Sequence, residues 1–123
     1  MATWLVRQVR RLVKATWYSS AGLKLLAKEH TAFAQELLVL VVVAPLGIWL
    51  GRTGTERALL VGSWLLVLVV EILNTAIETT INRISTEQHP LSGAAKDIGS
   101  ASVFCAIVLA IVVWVLVLVG PHV

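Results

Sequence analysis

Between Arg57 and Glu71 the chain reads ALLVGSWLLVLVV, and past Glu71 it continues IL-Asn74-TAI-Glu78-TTI, so a run long enough to cross a bilayer has two carboxylates set into it. An ionised carboxylate at the centre of a membrane helix costs about 2.5–3.5 kcal/mol even on lenient insertion scales, so acids retained there point to function. At about 100° per residue, Glu71, Asn74, Glu78 and Asn82 fall within a wedge of about 80°. One helix face therefore carries a polar stripe. With a rise of about 1.5 Å per residue the two glutamates stand about 10 Å apart along the axis, which separates a deeper acid from one close to the membrane surface.

Two further stretches are near the ~20 residues a spanning helix requires, residues 33–50 and 98–119, with the acid-bearing span at 57–80. Hydrophobic residues make up 58% of the 123, more than a soluble core of this size uses, and lipid is the expected solvent. Gln35 and Glu36 open the first span, and Pro45 with Gly47 predicts a bend in it. The lone Cys105 sits in the third apolar run, which excludes a disulfide within the chain and reads as apolar filler. The expected fold is an all-α membrane protein, one unit over 1–123, with three transmembrane helices and an N-terminal amphipathic surface helix.

Six of the ten basic residues precede the first span (Arg7, Arg10, Arg11, Lys14, Lys24 and Lys28), and Arg83 and Lys96 flank the 83–96 connection. The positive-inside rule then puts the amino terminus and that loop in the cytoplasm of a bacterial inner-membrane protein and the carboxyl terminus in the periplasm. No small-residue cleavage pattern follows the first apolar run, which excludes a cleaved signal there. Within the surface region 2–28, Leu5, Val9, Leu12, Val13 and Thr16 project to one side of a helix and Arg7, Arg10, Arg11 and Lys14 to the other, with Trp4 and Trp17 suited to the headgroup level. These basic residues read as an anchor to anionic lipid, and no nucleic-acid partner is expected.

The loop TEQHPLSGAAKD contains Pro90 and the Ser92-Gly93 pair, which break helix periodicity; Ser92 is the predicted N-cap of a helix that carries Lys96, Asp97 and Ser100 toward the membrane. A lysine beside two acids and a hydroxyl-rich loop suits metal-bound phosphates. No G-x-x-x-x-G-K-[ST] loop, kinase-type glycine loop or Cys/His zinc spacing is present, and no soluble nucleotide-binding fold fits in so few residues.

Glu71-Ile-Leu-Asn-Thr-Ala-Ile-Glu78 followed by Ala95-Lys-Asp-Ile-Gly-Ser100-Ala resembles the small prokaryotic diacylglycerol kinases, integral-membrane lipid kinases unrelated to soluble kinases. The likeness runs from Arg11 and Tyr18-Ser19 through Ala32-Phe33, Gln35-Glu36, Glu87 to His89 and Leu91-Ser92-Gly93 to Trp114. It implies magnesium- and ATP-dependent phosphorylation of membrane diacylglycerol to phosphatidic acid, by a homotrimer whose active sites are shared between subunits. By the same resemblance Glu71 matches the general base, Glu78 a magnesium ligand, and Asn74 a supporting polar residue of the catalytic site. Arg11, Tyr18, Glu87, Gln88, His89, Lys96 and Asp97 match nucleotide-contacting positions, with Lys96 and Asp97 also counted among the catalytic residues. Ala32, Phe33, Gln35, Glu36, Ser100 and Trp114 match positions lining the lipid site, to which Arg11 and Glu71 also belong. The related undecaprenol kinases offer a second acceptor for the same reaction. A non-catalytic channel or transporter subunit with an acid-lined path is the reading from another class, which the lack of an inverted repeat weakens.

Three positions depart from the family's pattern. His30 stands where a magnesium-binding glutamate is usual, Ala34 replaces an arginine, and Asn82 replaces an aspartate. Glu29 would supply the missing carboxylate if the helix start shifts register, His30 would bind a hard cation poorly, and a water would serve otherwise. His30→Glu is expected to lower the magnesium concentration for half-maximal rate. Glu29→Ala is expected to be harmful in the natural chain and much less so once residue 30 is glutamate, a coupling confined to residues that serve one site. Additive effects in that double-mutant cycle would remove Glu29 from the metal site.

Overall fold

The computed structural model describes residues 1–121. Four helices account for the fold: α1 (Ala2–Glu29), α2 (Thr31–Leu50), α3 (Gly54–Ile84) and α4 (Pro90–Val119), with no strand among the described residues. Three of them, α2, α3 and α4, are long and apolar enough to cross a membrane. The chain divides into two compact units, Met1–Ala34 and the part from Gln35 onward.

In the first unit α1 buries none of its residues, and large apolar side chains such as Leu5, Val9, Leu12 and Val13 remain more than half exposed. Its other side carries a shallow hollow of about 410 Å³ lined by Trp4, Arg7, Gln8, Arg10, Arg11 and Lys14. The extended backbone of His30 (φ −119°, ψ 105°) ends α1, its N–H donating to Leu26 O at 3.0 Å and its carbonyl accepting from Ala34 N–H at 3.2 Å.

The second unit is built on α3 packed antiparallel to α4. Small residues of α4 at intervals of seven and four, Gly99, Ala106 and Ala110, are buried, and Ala106 and Ala110 pack with Val67 while Trp64, Val70 and Ile107 close around them. Without a hydrophobic drive in lipid, helices associate by such close packing and by interhelical hydrogen bonds. Trp114 Nε1–H donates to Leu60 O at 3.0 Å, so Leu60 faces Trp114, Val67 faces Ala106, Asn74 faces Gly99 and Asn82 faces Lys96 along one register. The α2 helix meets α3 where Gly47 lies against Leu60 and Val61, and Trp64 Nε1–H donates to Glu36 O at 2.9 Å. The helix extends past Pro45, which has no N–H to donate, to Leu50.

The short α2–α3 connection is held by two arginines. Arg57 Nε–H is shared between Ile48 O (2.9 Å) and Gly51 O (3.1 Å), while Arg52 Nη2–H reaches Val117 O at 2.9 Å. Both cations therefore sit on carbonyls in the last turns of α2 and α4, the favourable place for positive charge on a helix. Thr53 caps α3 by accepting from Glu56 N–H at 3.1 Å, and the Glu56 carboxylate accepts from Arg52 N–H at 2.7 Å. A side chain at position 51 would collide with Arg57, which accounts for Gly51.

At the other end the α3–α4 connection is shorter than the sequence indicated. The α3 helix runs to Ile84 and α4 starts at Pro90, so residues 90–92, which precede the helix in the sequence reading, are helical. The N-cap is His89 rather than Ser92, because Nδ1 of His89 accepts from Leu91 N–H at 3.1 Å and Pro90, with no N–H to satisfy, takes the first helical position.

Candidate active site

The polar stripe predicted for α3 is present and faces α4. Glu71 is 7% exposed, Asn74 6% and Thr75 5%, so the stripe's inner half is enclosed by the second unit itself rather than left to lipid. Toward the connection, Glu78 is half-buried and Asn82 exposed, which grades the stripe from a dry end to a wet one. Asn74 Nδ2 donates to Glu78 Oε1 at 3.4 Å. That bond fixes the amide's orientation: with Nδ2 toward the carboxylate, Oδ1 is buried without a hydrogen-bond partner and lies against Gly99.

Gly99 is the residue that sequence reasoning missed. A Cβ built there would collide with Asn74 Oδ1, so a larger residue would need the Asn74 side chain to shift, and glycine lets α4 come this close to the stripe. The available signal was a lone glycine within an otherwise apolar helical run, next to Ser100. Gly99→Ala is expected to destabilise the protein by about 1–3 kcal/mol through overpacking and to lower activity with it. Gly62→Ala, where the added Cβ meets nothing within 4 Å in this chain, is expected to be near neutral. Thermal unfolding in detergent micelles compares the two, and equal midpoints would remove the close approach at Gly99 as a constraint.

A third acid joins this region from α2. Glu36 is partly buried, its Oε2 has no hydrogen-bond partner, and it lies within electrostatic reach of the Glu71 carboxylate. Gln35 beside it is exposed. The structure thus brings Glu36, Glu71, Asn74 and Glu78 into one unit of three packed helices.

The wet end opens into a cavity of about 580 Å³ lined by residues of the connection, including Glu87, Gln88 and His89, together with Asn82, Ser92 and Lys96. Lys96 Nζ donates to Asn82 Oδ1 at 3.0 Å, so the lysine meets the stripe at its fourth member and not at Glu78. Asp97 and Ser100 are exposed on the first turns of α4, and Trp114 lies far along it, donating to Leu60. Arg11, Tyr18, Glu29, His30, Ala32 and Phe33 belong to the first unit. There Arg11, Tyr18, Glu29 and Ala32 are exposed, His30 is partly exposed, and Phe33 is buried; the Trp17 and Tyr18 rings meet edge-on at 5.4 Å.

Among the described residues no group of three or more His, Cys, Asp and Glu side chains could hold a metal ion. What the stripe offers a metal is the Glu78 carboxylate, since the Asn74 amide turns its nitrogen toward that carboxylate and its Oδ1 toward Gly99. Magnesium keeps several waters and is commonly bound by one or two carboxylates plus substrate phosphates, so this sparse donor set fits a metal that arrives with a polyphosphate.

The model of the family described as prokaryotic diacylglycerol kinase matches residues 17–118. A diacylglycerol kinase of Haemophilus influenzae is 48% identical over 103 residues, covering 84% of this chain and 87% of that protein. One from Pseudomonas aeruginosa is 44% identical over 112 residues, 91% of each chain, and one from Escherichia coli K12 is 43% identical over 108 residues, 88% of each. A match of this extent takes in the whole of the second unit's stripe, the α3–α4 connection and the start of α4. The chain belongs to the prokaryotic diacylglycerol kinase family.

Proposed function

We propose that the protein transfers the γ-phosphoryl group of ATP to the primary hydroxyl of a membrane 1,2-diacylglycerol, giving phosphatidic acid and ADP. The observation that carries this reading is the grading of one helix face, from buried Glu71, through Asn74 and Glu78, to Asn82 with Lys96 at an open cavity. A diacylglycerol hydroxyl lies at headgroup depth, and a nucleotide comes from water. The reaction needs both to meet, and the stripe joins those two environments.

In this mechanism Glu71 takes the hydroxyl proton as the lipid oxygen attacks the γ-phosphorus, and the bond to the ADP oxygen breaks. Burial of Glu71 excludes water that would otherwise compete as acceptor. Lys96, with Nζ at the cavity, counters charge on the phosphates, and Glu87, Gln88 and His89 contact the nucleotide. Glu78, with Asn74 beside it, would hold magnesium, which when bound neutralises phosphate charge. Asn74 orients Glu78 through its amide proton. Glu36, Gln35, Ser100 and Trp114, with Ala32 and Phe33, line the lipid site, and Arg11, Tyr18 and Asp97 take part in nucleotide binding; these roles rest on the family resemblance.

The same resemblance supports a homotrimer in the bacterial inner membrane, and the charge distribution supports a cytoplasmic amino terminus and a periplasmic carboxyl terminus. Purified protein in mixed micelles, given labelled ATP with diacylglycerol or undecaprenol in separate reactions, tests the reading. Labelled phosphatidic acid is expected. Transfer to undecaprenol alone would move the chain to the other acceptor, and transfer to neither would leave a non-catalytic membrane protein.

A further inference from the structure

The hydrogen bond from Lys96 to Asn82 joins the last turn of α3 to the second turn of α4, and both side chains line the cavity at the connection. A lysine stem has many rotamers, and an ammonium that samples them all presents no fixed charge to a ligand. The amide oxygen at 3.0 Å restricts it while using one of its three protons. Because that acceptor is neutral, the bond holds the cation without cancelling its charge. A carboxylate in the same place would hold Lys96 equally well and would remove most of its attraction for an anion.

We propose that Asn82 is a positioning residue that holds Lys96 as an uncompensated cation in the α3–α4 cavity and thereby sets the affinity for a nucleoside triphosphate. This rests on the nucleotide-site reading given above. Asn82 acts through Lys96 and touches no reacting atom, so its effect falls on nucleotide binding and its salt dependence. Asn82 is exposed, so aspartate, which has nearly the same shape, is accommodated without refolding.

The test is equilibrium binding of ATP, with magnesium in excess, to the full-length protein in detergent micelles. Wild type is compared with Asn82→Asp, Asn82→Ala, Lys96→Met and the double variant Asn82→Ala with Lys96→Met. Asn82→Asp is expected to weaken ATP binding about three- to tenfold and to flatten its dependence on ionic strength. The KM for diacylglycerol is expected to stay unchanged. Asn82→Ala, which removes the acceptor without adding a charge, should also weaken binding, and once Lys96 is Met it should have little further effect, since the two residues act as one unit. An unchanged or tighter affinity in Asn82→Asp, or additive effects in the double variant, would overturn the proposal while leaving the nucleotide site standing. Wild-type protein that binds no ATP would overturn the site itself and the proposal with it.

Discussion

Glu71→Gln is expected to give a folded protein whose kcat for phosphoryl transfer is lower by about 10²- to 10⁴-fold, the usual contribution of a positioned general base. Folding is expected to survive because glutamine is nearly isosteric and a neutral amide is cheaper to bury than a carboxylate. At 7% exposure that difference matters more for Glu71 than for any acid nearer the cavity. Thermal unfolding of the variant establishes that the fold is intact, and single-turnover transfer from labelled ATP to diacylglycerol measures the loss. Retention of most of the wild-type rate would assign the proton to another group and leave Glu71 a packing role.

Glu78→Ala is expected to raise the magnesium concentration needed for half-maximal rate at least about tenfold and to weaken ATP binding, with lipid binding preserved. The size of the effect follows from the sparse donor set. With Glu71 buried deeper and Glu78 the one carboxylate toward the stripe's wet end, and no group of three or more His, Cys, Asp and Glu side chains among the described residues, the stripe has no second acid at that level to offset the loss of Glu78. Alanine also frees the Asn74 amide, which then has neither of its ends fixed by a side chain. Titrating magnesium against rate at saturating lipid separates the two effects, and an unchanged magnesium dependence would remove Glu78 from the metal site.

The α3 stripe was legible in the sequence because carboxylates within an apolar run are energetically anomalous, and helical periodicity alone places them on one face. The three apolar spans were legible for the same elementary reason. The pairs across the helices were not. That Asn74 meets Gly99, Asn82 meets Lys96 and Trp114 meets Leu60 depends on the register between α3 and α4, which the packing of Gly99, Ala106 and Ala110 sets and which no single-helix pattern encodes. Asn82 in particular looked peripheral until its partner was known. The start of α4 was not legible: the sequence reads Pro90 as a helix breaker and Ser92 as the cap, whereas the proline takes the first helical position and a histidine caps through its ring nitrogen.

The arginine contacts at the α2–α3 turn have a consequence for how this end of the protein tolerates substitution. Arg52 and Arg57 donate to the carbonyls of Val117, Ile48 and Gly51, which are main-chain atoms present whatever side chain stands there. Positions 48 and 117 are therefore free to drift among apolar residues without breaking the clasp, while 52 and 57 are not, because only a guanidinium brings a directional fork to these carbonyls. The mutational freedom of this clasp is lopsided: in its three arginine bonds every donor is a side chain and every acceptor comes with the backbone.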